Sequence, residues 1–208
     1  VTAKARYSGP LALNEAYISV IRHDLKVFLP ALVISMMLVL TLIFGSIKLT
    51  VIALVVAILS VVSAFGFAGW LGAELAAINA FAPVMIASLS LAGAVHIFNS
   101  YFQTLAIGSA PKQALTSAVT ENAFPLALTS MTTAGGFLAL LYSPSPPIRT
   151  IGLIVAIGVL FSWLYIMLLL PALLGLTNAR PVRAKWLTTF IEFVGDKTAQ
   201  YPKQILLI

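Results

Sequence analysis

His96 is an ionisable side chain inside a long apolar stretch. Such a residue in a membrane segment commonly marks a proton or ion pathway, because placing it there costs free energy. Ser88, Ala92, Asn99 and Gln103 recur with His96 at offsets of three or four residues, which puts all five on one face of a helix. Since an imidazole can gain or lose a proton near neutral pH, this face is a candidate proton relay or polar passage.

A second polar face follows further along the chain. Thr129, Thr132, Thr133 and Gly136 share helical spacing. A polar face on a membrane helix must contact protein or water rather than lipid, so we expect the two faces to lie opposite each other. The simpler alternative is that these side chains only form hydrogen bonds between helices, as Ser, Thr, Asn and His commonly do in membranes. That alternative is favoured for the threonines, whereas for His96 both interpretations stay open.

Other kinds of chemistry find little support. The chain has no cysteine and no HExxH motif, and its two aspartates, Asp24 and Asp196, lie in the flanks far from His96. These features argue against thiol catalysis, a zinc site and a Ser–His–Asp triad. We therefore expect no enzyme activity, no cofactor and no metal. The net charge is +6, but the basic residues form no long run. This pattern favours anionic lipid headgroups over nucleic acid as a partner.

The composition is that of a membrane protein. Of the 208 residues 61% are apolar and 9% charged, and the mean hydropathy is +1.05, whereas a soluble domain carries about 25% charged residues. The charges are also unevenly spaced. Between Lys26 and Arg180, five of the six charge-free stretches exceed the roughly 20 helical residues that cross a hydrocarbon core.

We therefore predict an all-α polytopic membrane helix bundle, with five spans in a transmembrane domain at 27–179. The predicted spans are A (27–44), B (49–71), C (79–103), D (122–142) and E (149–176). Amphipathic spacing predicts interfacial helices at 10–26 and 180–200 and a surface helix within 104–121. Residues 1–9 would end a preceding soluble region, and 201–208 would begin another span, so the sequence is interpreted as part of a longer protein.

Two local features bear on packing. The turn Gly45–Lys48 is very short, so spans A and B must be antiparallel neighbours. Span B carries Ala64, Gly66, Ala68 and Gly69, which predict a small-residue face for close helix contact.

The distribution of cations predicts the orientation, because cytoplasmic loops are enriched in Lys and Arg. With five spans, seven cations fall on one side and five on the other. The larger group is Lys48, Lys112, Arg180, Arg183, Lys185, Lys197 and Lys203, and the smaller is Lys4, Arg6, Arg22, Lys26 and Arg149. The C-terminal flank is therefore predicted to be cytoplasmic and the N-terminal flank to be outside.

Span D carries a recognisable motif. The stretch 128–140, LTSMTTAGGFLAL, resembles the signature of the resistance-nodulation-division (RND) superfamily, and is most similar to its MMPL-like and hopanoid or lipid exporter branch. The resemblance extends along nearly the whole chain, through Gly9–Pro10, Asp24–Leu25, Phe44, Ser143, Pro147–Arg149, Gly152, Ala156–Gly158 and Pro171–Leu174.

The resemblance implies that spans A–E are the second to sixth helices of an RND protein in a bacterial inner membrane, a unit that overlaps the sterol-sensing domain. Residues 1–9 would then end a periplasmic domain. It also implies proton-driven export of lipids or other hydrophobic molecules. The acid used by the family often precedes a histidine on the fourth helix, but here Gly93 stands at that position, in the run Ala92–His96.

Two functions remain in view. The first is an RND-type transporter whose partners are membrane lipids, a hydrophobic substrate and the second half of the same polypeptide. Assembly into a homo-oligomer is also compatible with this function. The transporter's proton relay would use His96, Asn99, Ser88, Thr129, Thr132 and Thr133. The second is a non-transporting sterol- or lipid-sensing module that regulates a partner.

Overall fold

The computed structural model of the chain describes residues 26–27 and 30–177, apart from the side chain of Ala77. The segments predicted at 1–9, 180–200 and 201–208, and nearly all of the interfacial helix predicted at 10–26, lie outside these residues.

The described chain is an all-α bundle without strands. Its helices are α1 (Pro30–Phe44), α2 (Ile47–Trp70), α3 (Ala82–Ala106), α4 (Pro111–Leu138) and α5 (Pro146–Gly175). Short 3₁₀ turns at Ala77–Phe81 and Ala139–Tyr142 precede α3 and extend α4. Helices α2 to α5 are long and apolar enough to cross a membrane, while the described part of α1 is shorter. These findings confirm the predicted fold class.

Glycine and proline set the ends of the helices. Helices α1, α2 and α3 are followed by Gly45, Gly72 and Gly108, whose φ angles are 60°, 74° and 89°. A glycine adopts this left-handed conformation without a steric penalty and commonly ends a helix. Pro111 and Pro146 then begin α4 and α5, where the missing N–H of a proline has no helical partner to lose.

Helix α5 lies at the centre of the bundle and packs against α2, α3 and α4. Glycines allow its closest contacts. A Cβ on Gly158 would overlap the Ile86 side chain of α3 and lie 3.1 Å from the Cβ of Ala64 on α2. A Cβ on Gly152 would lie 2.6 Å from the backbone oxygen of Phe137 on α4. The position of α5 therefore depends on the absence of side chains at these two sites.

The surface helix predicted within 104–121 is not a separate element. Helix α3 continues to Ala106, and one helix then runs from Pro111 into span D. The predicted apolar side is present, but Ala114 and Ala118 are fully buried in the bundle core. Because these residues pack against protein, the segment does not lie as an independent helix on a membrane surface.

The predicted small-residue face of span B is half correct. Ala64 and Ala68 are buried in a core cluster. Gly66 and Gly69 are exposed, and a Cβ on either would meet nothing within 4 Å. Four small residues within two turns cannot all point in one direction, because successive positions are rotated by about 100°. The predicted contact between α1 and α2 is present, since Thr41 Oγ1 lies 3.0 Å from Thr50 Oγ1.

Candidate functional site

A cleft with polar and apolar walls opens between α3, α4 and α5. Its volume is about 110 Å³. The polar part of its lining consists of His96 on α3, Thr129, Ser130 and Thr133 on α4, and Ser162 and Trp163 on α5. Leucine, valine and isoleucine side chains form much of the remainder. The cleft therefore places hydrogen-bonding groups from three helices around one space in an otherwise apolar bundle.

The structure brings together only part of the predicted polar constellation. His96, Thr129 and Thr133 line the cleft between α3, α4 and α5. Ser88 instead lines a separate, mostly apolar groove between α1 and α3. Asn99 and Thr132 lie outside both cavities and are exposed on the described bundle. The two faces, which we expect to lie opposite each other, share this cleft at His96, Thr129 and Thr133.

The hydroxyls of Thr129 and Thr132 donate to carbonyl groups of their own helix. Thr129 Oγ1 donates to the Pro125 carbonyl at 2.9 Å, and Thr132 Oγ1 donates to the Leu128 carbonyl, also at 2.9 Å. Ser88 Oγ likewise donates to the Val84 oxygen at 2.8 Å. The structure thus gives no support to the prediction that these three hydroxyls form hydrogen bonds between helices. Each hydroxyl oxygen retains the capacity to accept a hydrogen bond.

A hydrogen bond that does join α3 and α4 comes from residues outside the predicted set. Asn122 Nδ2 donates to Ser100 Oγ at 2.7 Å and to the Ala118 carbonyl at 2.8 Å. In the sequence, the two partners of this bond are visible only as an amide near the start of span D and a serine near the end of span C. Sequence spacing could not pair them, because they are 22 positions apart on different helices.

The predicted set of site residues also lacks two polar residues of α5. Ser162 is 3% exposed, and Trp163 Nε1 is buried without a hydrogen-bond partner among the described residues. Both line the cleft. A buried indole N–H commonly finds an acceptor, so a tryptophan in the middle of the most apolar span was the signal that could have identified this wall.

Gly93 forms part of the cleft lining opposite α5. A Cβ on Gly93 would lie 2.6 Å from Ile166 Cδ1. Ile166 itself is 3% exposed and belongs to the core. The space beside the α3 backbone, one turn from His96, is thus already filled by an aliphatic side chain.

Helix α4 presents most of its surface away from the bundle. In its most apolar stretch 6% of the residues are buried, against 39–44% in α2, α3 and α5. The exposed residues include Thr129, Thr132, Gly135 and Gly136, of which Thr129 also lines the cleft that contains His96. A face of small and polar residues is typical of a helix–helix contact in a membrane.

Comparisons with known proteins agree with this architecture. Residues 1–204 match the MMPL family. A relative from Methanocaldococcus jannaschii, the candidate membrane protein MJ1562, is 31% identical over 90 residues. That match covers 43% of this chain and 23% of the relative, so the chain spans well under two thirds of the relative's length. Together with the long apolar helices, the match over nearly the whole sequence shows that the chain is a multi-pass membrane protein of the MMPL family, within the RND superfamily.

Proposed function

We propose that this chain is part of an RND-type transporter that exports lipids or other hydrophobic molecules from a bacterial inner membrane without converting them chemically. The observation that carries the proposal is His96, an ionisable side chain in a membrane-length helix that lines a polar cleft. Groups of this kind in a membrane commonly serve transport of ions or substrates. Membership of the MMPL family adds support.

The exposed side of α3 and α4 is the proposed contact with the rest of the transporter. Asn99 on α3 and Thr129 and Thr132 on α4 are exposed, and contact with lipid would leave polar groups in hydrocarbon. We propose that the second half of the same polypeptide covers it, and a homo-oligomer would meet the same physical need. The N-terminal flank would then be periplasmic and the C-terminal flank cytoplasmic, as the cation distribution predicts.

Proton coupling would use His96 in this half of the transporter. Helix α3 contains no aspartate or glutamate, and the space beside Gly93 is filled by Ile166. The cleft also contains the hydroxyls of Thr129, Ser130 and Thr133 on α4 and the indole N–H of Trp163 on α5. A proton-carrying imidazole could exchange hydrogen bonds with these groups. The carboxylate that commonly accompanies such a relay would have to come from elsewhere in the protein.

The groove between α1 and α3 supports a hydrophobic substrate. Its volume is about 260 Å³. Apolar side chains line most of it, including Met36, Val39 and Leu91. Such a groove can take an acyl chain from the surrounding bilayer, and Ser35 and Ser88 add hydroxyls to its lining.

The test is transport by the full-length protein in proteoliposomes. A fluorescent lipid analogue would be followed under an imposed proton gradient, and we expect His96→Ala to abolish the part of the flux that depends on the gradient. Gly66→Ala is the control, because its added methyl group meets open space on α2. Flux that remains gradient-dependent in His96→Ala would remove His96 from the mechanism, and absence of any flux in the unmodified protein would contradict transport.

The same groove favours a second candidate, a sterol- or lipid-sensing module that regulates a partner. Such a module would bind lipid without moving it across the membrane. Lipids that co-purify with the protein, identified by mass spectrometry, combined with no lipid flux in proteoliposomes would support sensing. Lipid binding accompanied by gradient-dependent flux would support the transporter.

A further inference from the structure

Three serines are buried in the apolar core, one on each of three neighbouring helices. Ser60 on α2 and Ser90 on α3 have no exposed surface, and Ser162 on α5 is 3% exposed. A buried hydroxyl without a hydrogen-bond partner destabilises a protein, so the surroundings of these three side chains are informative.

Contacts between α3 and α5 show that their two serines lie at one level. Ile86 on α3 meets Gly158 on α5, and seven residues further along α3 Gly93 meets Ile166. The order of these contacts shows that α3 and α5 are parallel. The serine of each helix lies between the two contacts, four residues beyond the first, so the two hydroxyls share a level on the facing sides.

Helix α2 runs in the opposite direction to α5. Ser63 Oγ lies 2.7 Å from the hydroxyl of Tyr165, while Phe67 packs against Phe161 with ring centroids 6.0 Å apart. Moving forward along α2 therefore corresponds to moving backward along α5.

This direction brings the third serine to the same level. Ala64 of α2 packs beside Gly158, since a Cβ on the glycine would lie 3.1 Å from that of the alanine. Ser60 is one turn before Ala64 on α2, and Ser162 is one turn after Gly158 on α5. Because the helices are antiparallel, both steps lead in the same direction. The three hydroxyls therefore lie at one level where α2, α3 and α5 meet.

Protein atoms satisfy these hydroxyls only in part. Ser60 Oγ donates to the Val56 carbonyl at 2.7 Å, which leaves its oxygen able to accept. Ser90 Oγ is buried without a partner among the described residues. Ser162 also lines the cleft that contains His96, so the serine level adjoins that cleft.

We propose that the junction of α2, α3 and α5 binds water, held by Ser60, Ser90 and Ser162 and exchanged through the cleft. Buried water typically forms about three hydrogen bonds with polar groups that otherwise lack partners, and three buried serines at one level can supply such partners. Water fits better than a cation, because α2, α3 and α5 contain no aspartate or glutamate to balance a buried charge. Water at this level gives the cleft of His96 a hydrated extension into the core.

The first test measures the melting temperature of the full-length protein carrying Ser90→Ala. Ser88→Ala is the matched control, because it lies on the same helix, is exposed and donates within its own helix. Both changes gain the same helix propensity. We expect Ser90→Ala to melt about 1–2 °C below the control, because the bound water loses a partner. Equal or higher melting would overturn the proposal, since deleting a hydroxyl that binds nothing removes a penalty.

The second test separates water from a direct bond between serines. A high-resolution cryo-EM map of the full-length protein in nanodiscs should contain density within hydrogen-bonding distance of Ser90 Oγ and Ser162 Oγ. That density should disappear in the Ser90→Ala/Ser162→Ala double variant. A map in which the two hydroxyls contact each other with no density between them would overturn the proposal. Neither readout depends on whether the protein transports lipid.

Discussion

Gly93 of α3 and Ile166 of α5 fit together so closely that a Cβ on the glycine would lie 2.6 Å from Ile166 Cδ1. This contact lies one turn from His96, at the position where the resemblance to RND proteins leads one to expect an acid. Replacing the acid by glycine therefore leaves no empty space at this position, because the aliphatic side chain of Ile166 fills it.

Introducing the acid should therefore require a change on α5. We expect Gly93→Asp to destabilise the protein by about 1–3 kcal/mol, as overpacking in a core does. In the double variant with Ile166→Ala, the loss should be smaller than the sum of the two single losses, because the atom that the new Cβ would meet is removed. A double-mutant cycle by thermal or denaturant unfolding measures the coupling. Additive effects would mean that the two residues do not compete for this space.

The contact between α4 and α5 should be intolerant of a single methyl group. A Cβ on Gly152 would lie 2.6 Å from the Phe137 carbonyl oxygen and 2.8 Å from Leu140 Cβ, so the backbone itself must move. We expect Gly152→Ala to lower stability by about 1–3 kcal/mol. Gly66→Ala, which meets open space, should be neutral or stabilising because alanine favours helix. The prediction fails if the two variants unfold alike.

The hydrogen bond between Asn122 and Ser100 should contribute measurably to the packing of α3 on α4. Its length is 2.7 Å, and Asn122 Nδ2 also donates within its own helix. Interhelical hydrogen bonds in membranes are worth about 0.6 kcal/mol on average. We expect a coupling of that order between Asn122→Ala and Ser100→Ala in unfolding measurements. The cycle would show no coupling if the bond contributed nothing to stability.

The hydroxyl of Tyr165 should stabilise the contact between α2 and α5. It lies 2.7 Å from Ser63 Oγ, and its ring stacks on Phe161. Tyr165→Phe keeps the ring and removes the bond, so we expect a loss of about 0.5–1.5 kcal/mol. Tyr142→Phe is the control, because Tyr142 is 94% exposed. Equal melting temperatures of the two variants would contradict the role of the hydroxyl.

The exposed face of α4 should be covered in the full-length protein. These 208 residues contain no cysteine, so a single spin label can be attached at Thr132→Cys once any cysteine elsewhere in the full-length protein has been replaced. We expect low accessibility to lipid-dissolved oxygen there by electron paramagnetic resonance. Ile58→Cys on α2, also an exposed position, should be freely accessible. Equal accessibility at both positions would indicate that lipid, rather than protein, covers Thr132.

Much of the helical layout follows from the order of residues. Charged side chains are so costly in hydrocarbon that the stretches without them mark the candidate spans, and α2, α3 and α5 begin and end within about three residues of the predicted bounds. The main difference is α4, which starts at Pro111. Amphipathic spacing in this segment predicts contact with a membrane surface, although contact with other helices produces the same pattern.

The candidate site was only partly predictable, because helical periodicity groups residues on a face without telling which neighbour that face meets. His96, Thr129 and Thr133 share a cleft, while Ser88 on the same predicted face as His96 turns towards α1. Ser162 and Trp163 form the α5 wall of the cleft. Their position there depends on how α5 is rotated about its own axis. That rotation is set by packing at Gly152 and Gly158.

By itself the sequence determined the class of protein and the existence of its spans, since both depend on local hydropathy and on the cost of burying charge. Only the tertiary structure decided that Ile166 fills the space beside Gly93, and that Ser60, Ser90 and Ser162 lie at one level. The physical reason is that contacts between helices depend on their rotation and axial shift. Both are set by side chains far apart in the chain that must fit together at close-packed density.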